Sequence, residues 1–223
     1  MLACLIFLLV AVGRHPEHLA PLTNLAAIGE LDGAIARWTE EIRVGVLTSV
    51  FKVLDYAGGG IITIPLRVVV TILLLVRRRF VAFSAFVLTW AASEILLTWL
   101  KVFFHRGRPP GRLVEVIGFS FPSGHAVAGA ALVVAIVLVA FPPGPLRRKW
   151  ELLAVAFMFV MALSRVYLAA HWFSDVVTGV LLGTGIALGS AALVTEVTNL
   201  LTARGVIARP ETPPGDPLDP RLS

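Results

Sequence analysis

Apolar residues along this chain gather into long runs broken by short polar stretches. The runs are Met1 to Val12, Gly60 to Val76, Phe80 to Phe104, His125 to Phe141, Trp150 to Leu168 and Val176 to Val194. All but the first are near the length a helix needs to cross a bilayer, about 17–25 residues. The pattern predicts an all-α, polytopic membrane helix bundle of about six spans, the N-terminal span short. Met1 to Val12 lacks the basic flank and small-residue cleavage site of a secretory signal, so it reads as a short first span. Between the first two runs, Leu31, Ile35, Trp38, Ile42 and Val46 recur at helical spacing among acids and arginines. That spacing predicts an amphipathic helix lying at the membrane interface.

Composition agrees. The 223 residues are 57% hydrophobic and 15% charged, against about 45–50% and about 25% in soluble domains. No polar block is large enough to bury a second core, so residues 1–198 read as one membrane-embedded domain. Residues 199–223 read as a proline- and charge-rich disordered tail. Cys4 is the one cysteine, which excludes an intrachain disulfide and a cysteine-based metal site. The formal charge of +5 comes from Lys and Arg clusters between apolar runs. Such clusters report membrane orientation rather than nucleic-acid binding. Arg77 to Arg79 and Arg147 to Lys149 lie in alternate loops, with the tail on the same face. This face is assigned to the cytoplasm and the opposite one to the extracytoplasmic side.

Three polar clusters stand on that opposite face, each at the end of an apolar run: "KVFFHRGRPP" (Lys101 to Pro110), "PSGH" (Pro122 to His125) and "SRVYLAAHWFSD" (Ser164 to Asp175). Taken singly, each has a plain structural explanation. Lys101 can snorkel, Arg165 can pair with Glu94, and a histidine can simply end a helix. Together they are harder to explain that way, since a charge at membrane depth costs about 2.5–3.5 kcal/mol on insertion scales. Lys101 and Arg108 are seven apart, which in a helix puts them on nearly one face. Ser123 and Gly124 open a helix, whose free N–H groups suit an anion. His171 and Asp175 are four apart, so on one helical face the carboxylate would fix the imidazole tautomer. Three cations without matching acids need an anion, and phosphate fits them. Arg67 and Glu94, inside apolar runs, read as an internal pair or a snorkelling arginine. His105 and Arg106 fall between the fixed motif positions.

The three clusters resemble the three-part signature of the type-2 phosphatidic acid phosphatase superfamily: K-x(6)-RP, PSGH, SR-x(5)-H-x(3)-D. Lys101, Arg108, Pro109, Pro122, Ser123, Gly124, His125, Ser164, Arg165, His171 and Asp175 occupy its fixed positions in order. The resemblance covers about residues 58–194 and points to the family's bacterial membrane branch. It implies a lipid phosphatase needing no metal or other cofactor. His171 would be the nucleophile, giving a phosphohistidine. Asp175 would orient it and His125 would protonate the leaving oxygen. Lys101, Arg108, Ser123, Gly124 and Arg165 would hold the phosphoryl group. The partners implied are a lipid phosphate or diphosphate and the bilayer, not nucleic acid. Undecaprenyl diphosphate, converted to undecaprenyl phosphate, stands first among family substrates. Phosphatidylglycerophosphate or phosphatidate hydrolysis and lipid phosphotransfer are the enzyme alternatives, and an anion transporter is the non-enzyme one. A transporter has no use for the His171–Asp175 pair, and the chain lacks the paired halves with broken helices common there. The related vanadate-dependent haloperoxidases are soluble, which argues against that branch.

Overall fold

The computed structural model describes residues 23–208, and every element in it is an α-helix. They are α1 (Thr23–Glu41), α2 (Gly45–Gly58), α3 (Gly60–Val76), α4 (Phe80–Phe104), α5 (Gly124–Ala140), α6 (Pro145–Tyr167) and α7 (Phe173–Ala203). Three of them, α4, α6 and α7, are each long and apolar enough to cross a membrane. α2 and α3 meet at a 42° bend and together would make a fourth span, and α5 is a shorter apolar helix of 17 residues. Five of the six expected spans thus correspond to helices. The first, Met1 to Val12, lies outside the described residues, as does the tail from 209 onward.

Two element boundaries differ from expectation. The amphipathic stretch is two helices, not one. The chain breaks at 42–44, where the Tyr167 hydroxyl accepts from the Val44 N–H at 2.9 Å and donates to the Val44 carbonyl at 3.2 Å. A buried partner from α6 there replaces the bonds a continuous helix would make. The last helix runs on to Ala203, past the expected end of the sixth span, because no proline or glycine interrupts residues 190–203.

Large apolar side chains on the outer faces of α3 and α6, among them Ile61, Val69, Leu152 and Phe159, are exposed. A patch of that extent marks a surface made for lipid rather than water. Lipid tails are as apolar as a core, so helix association in a bilayer rests on close packing and polar contacts. α5 sits centrally, against α4, α6 and α7. Its closest approach is to α7, at two glycines. A Cβ at Gly183 would lie 2.3 Å from the Val127 carbonyl oxygen and 2.9 Å from Ala131 N; one at Gly179 would lie 2.8 Å from Ala126 Cβ. Nothing stands within 4 Å of a Cβ at Gly185. Gly183→Ala should therefore cost about 1–3 kcal/mol by forcing two backbones apart, and Gly185→Ala should be neutral. Thermal unfolding of the two variants in detergent checks the contrast. The same contact sets how near the start of α5 comes to the start of α7, where the second and third polar clusters lie.

Arg67 is buried and pairs with Glu94 at 2.5 Å, with its guanidinium 5.5 Å from the Trp90 ring centre. The intramembrane charge is an internal tie between α3 and α4, as the pairing alternative supposed.

Candidate active site

Every fixed position of the three clusters lies at one end of the bundle. α4 ends at Phe104 because His105 turns into the left-handed region, φ 49°. Arg108 is therefore in an extended loop and does not share a helical face with Lys101, contrary to expectation. The two side chains still converge, since the Phe119 carbonyl accepts from Lys101 Nζ at 2.7 Å and from Arg108 Nη2 at 3.0 Å. Arg108 also donates to the Gly118 and Ala170 carbonyls at 2.9 and 2.6 Å. Its hydrogen-bond anchors are thus neutral oxygens on two loops. Burial, then the nearby Arg165 charge, lowers the Arg108 pKa below its usual value.

The loop between α4 and α5 returns through Ser120 and a cis Phe121–Pro122 bond to Ser123, the N-cap of α5. The Ser123 N–H donates to the Asp175 carbonyl at 3.1 Å, which ties the second cluster to the third. The first-turn N–H groups of α5 have no acceptor in their own helix. The Ser123 hydroxyl is buried and has no partner among the described residues.

His171 and Asp175 do not lie on one helical face either. α7 begins at Phe173, so His171 precedes it, and Asp175 reaches back to accept from the Trp172 N–H at 3.0 Å. An acid at this position satisfies a free N–H of the first turn, which is why the helix starts there. The pair forms nonetheless: His171 Nδ1 is 3.6 Å from Asp175 Oδ2. The Ser120 hydroxyl donates to that oxygen and lies 3.5 Å from Nδ1. On the other side of the ring, Arg108 Nη1 is 3.2 Å from Nε2. A guanidinium can only donate, so Nε2 carries the lone pair and Nδ1 the hydrogen. Burial drives the His171 pKa down to about 4, against the opposing pull of Asp175. Arg108 and Arg165 push the same way as burial. At neutral pH the ring is neutral, with Nε2 available to attack.

Arg165 is wholly buried, and its Nη1 donates to Asp55 Oδ1. Its Nε and Nη2 have no partner among the described residues. Asp55 joins Arg165 to His125, Arg108 Nη1 lies 3.2 Å from His171 Nε2, and both cations act on both rings, so the four groups form one cationic locus.

Four residues outside the expected set belong to this framework. Asp55 holds Arg165 and His125. Arg106 donates to Asp175 and, at 2.6 Å, to Asp32 of α1. Asp32 in turn accepts from the Ser174 N–H at 2.9 Å. Ser120 completes the shell of Asp175. Trp172 donates through Nε1 to the Gly107 carbonyl at 2.9 Å. The one signal for Asp55 is that it is an acid just ahead of an apolar run, where a charge needs a partner; Asp32, among other acids of the amphipathic stretch, has none.

Comparison with known proteins places these features. A family model described as the PAP2 superfamily matches residues 82–199. Phosphatidylglycerophosphatase B of Bacillus subtilis (strain 168) is 30% identical over 184 residues, covering 80% of this chain and 86% of that protein. The crystal structure of a transmembrane PAP2-type phosphatidylglycerolphosphate phosphatase from Bacillus subtilis superposes with a TM-score of 0.71 at 23% identity, covering 88% of this chain and 94% of the other. That of Aquifex aeolicus LpxE superposes with a TM-score of 0.59 at 22% identity, covering 71% and 93%. These two structures share the fold.

Proposed function

This chain belongs to the PAP2 superfamily and is a multi-pass membrane phosphatase of that family, and from that premise we propose that it removes the terminal phosphate of a membrane lipid through a phosphohistidine on His171. The observation that carries the reading is the unsatisfied polar group at the locus. Among the described residues, Arg165 Nε and Nη2 and the Ser123 hydroxyl are buried without partners, and Lys101 and Arg108 bond to carbonyls. Buried donors without acceptors are costly, and a phosphoryl group supplies the acceptors and the negative charge together.

The Nε2 lone pair of His171 forms a bond to phosphorus as the bond from phosphorus to the leaving oxygen breaks. That oxygen takes a proton from His125. Asp175, held by Arg106 and Ser120, stabilises the imidazole as it gains charge. Lys101, Arg108, Arg165, Ser123 and the Gly124 N–H hold the three equatorial oxygens, whose charge changes most in the transition state. Water then attacks phosphorus, gives its proton to His125, and the N–P bond breaks with its electrons returning to Nε2. The site faces the extracytoplasmic side, with the arginine-rich loops at the other end of the bundle inside.

Phosphatidylglycerophosphate is the first substrate to test, because the 30%-identical relative bears that name. Undecaprenyl diphosphate, first on the sequence resemblance, is the second, since the site reads the phosphoryl group and both lipids present a terminal one. Purified protein in EDTA should release phosphate from at least one of the two, and vanadate should inhibit it. No release from any lipid phosphate or diphosphate would overturn the reading.

A further inference from the structure

We infer that Asp55, which lies outside all three motifs, is a positioning residue for the proton that His125 gives to the leaving group. The inference rests on the phosphatase reading above and concerns one step of it. Asp55 stands in the last turn of α2, just before Gly58, and comes to the site from an element that carries no motif residue. Its Oδ1 is 3.3 Å from His125 Nε2, and its backbone carbonyl oxygen is 3.1 Å from the same nitrogen. Both oxygens can only accept. Nε2 therefore holds a hydrogen in either charge state, and the proton exchanged with substrate sits on Nδ1.

The end of α2 closes around the ring. A Cβ at Gly58 would come within 3.0 Å of His125 Cδ2 and 2.5 Å of Met161 Cε, and one at Gly59 within 4.0 Å of Nε2. A side chain at Gly58 would press on Met161 and on the ring, so this glycine leaves the ring room beside Asp55.

The charged groups that face His125 are Asp55, Arg165 and Arg108. Two are cations, so a doubly protonated ring between them needs an anion close by. Asp55 is that anion. The same Oδ1 accepts from Arg165 Nη1, leaving Nε and Nη2 of that guanidinium for the phosphoryl oxygens. One carboxylate thus touches a proton donor and a phosphate clamp, and an asparagine oxygen at 55 still accepts from Arg165, so Asp55→Asn removes the charge His125 needs without freeing the clamp.

The test is leaving-group dependence in intact protein. Two phosphates with matched hydrocarbon tails are compared: a long-chain alkyl phosphate, whose leaving oxygen needs a proton, and a nitrophenyl phosphate carrying the same chain, whose leaving oxygen does not. Asp55→Asn should lower kcat for the alkyl phosphate by about 10²-fold and for the aryl phosphate by less than about threefold. KM should change little for either. In a His125→Ala background Asp55→Asn should have no further effect on the alkyl phosphate. If Asp55→Asn is not recovered folded, Asp55→Glu carries the test, with the same selective loss in smaller measure. Equal loss on both substrates, no loss on either, or a full further loss in the His125→Ala background would overturn the inference. Wild-type protein that hydrolyses neither substrate would instead sink the phosphatase reading, so the two failures are told apart.

Discussion

His171→Ala should lower kcat by about 10⁴-fold or more, the scale seen when a covalent nucleophile is removed from a preorganised site. His171 is 3% exposed, and its Nε2 is the nitrogen turned toward Arg108. No other described nitrogen at the locus combines a free lone pair with that position. The arginine and lysine groups can only donate, and His125 presents its Nε2 to Asp55. Water attacking directly would keep the benefit of the cations but lose the covalent route, which leaves a residual rate rather than none. Two measurements check this. Wild-type protein quenched in alkali during turnover of a labelled lipid phosphate should retain acid-labile label, and the variant should retain none. The variant should also unfold near the wild-type temperature, because the ring forms no short hydrogen bond that the helices depend on; Trp172 N–H and Ser120 still bond Asp175 without it. Retained phosphate release in the folded variant would overturn the nucleophile assignment.

The sequence made the spans and the three clusters legible because each is a local pattern. Gly60–Val76 and Phe80–Phe104 were readable to the residue, since the triple arginine at 77–79 interrupts an otherwise continuous apolar stretch. The motif residues were readable because their spacing resembles a known signature. Two inferences about local shape went astray for one reason. Both the Lys101–Arg108 and His171–Asp175 relations were drawn on an uninterrupted helix, and in each case the helix boundary falls between the partners. His105 takes a left-handed conformation, and Asp175 caps the start of α7 rather than continuing a helix from His171. The pairings survive because the bundle, not the local helix, brings the groups together. What could not be read was the set of acids. Asp55 meets Arg165 across 110 residues, and Asp32 meets Ser174 across 142. A lone acid in a linear sequence carries no mark of a partner that far away. Helices α1 and α2, over which the amphipathic spacing of Leu31 to Val46 runs, likewise looked peripheral, yet through Asp32 and Asp55 they supply carboxylates to both halves of the site. A region read only as membrane surface is therefore part of the frame around the candidate site.

Arg165→Ala should lower kcat by about 10³-fold, in the range measured for single transition-state donors and for arginines that neutralise a transferring phosphoryl group. The argument turns on what Arg165 bonds to. A guanidinium fully committed to carboxylates would be a structural strut, and its loss would appear mainly as lower stability. Here Asp55 takes Nη1 alone, and Nε and Nη2 are buried without partners among the described residues. The edge they form is a two-donor fork, the shape that matches two phosphoryl oxygens. Arg165→Lys separates charge from shape. A lysine keeps a cation near Asp55 but offers a point charge in place of the fork, so it should recover no more than about tenfold of the loss. Vanadate, which presents oxygens resembling the transferring group, should weaken in parallel with kcat in both variants, because an interaction made mainly in the transition state is felt by its analogues. Substrate KM should move less than kcat. If Arg165→Lys restored full activity, charge alone would account for the residue. If both variants kept wild-type kcat while unfolding at lower temperature, Arg165 would be a strut tied to Asp55, and the unsatisfied fork would have no part in holding phosphate.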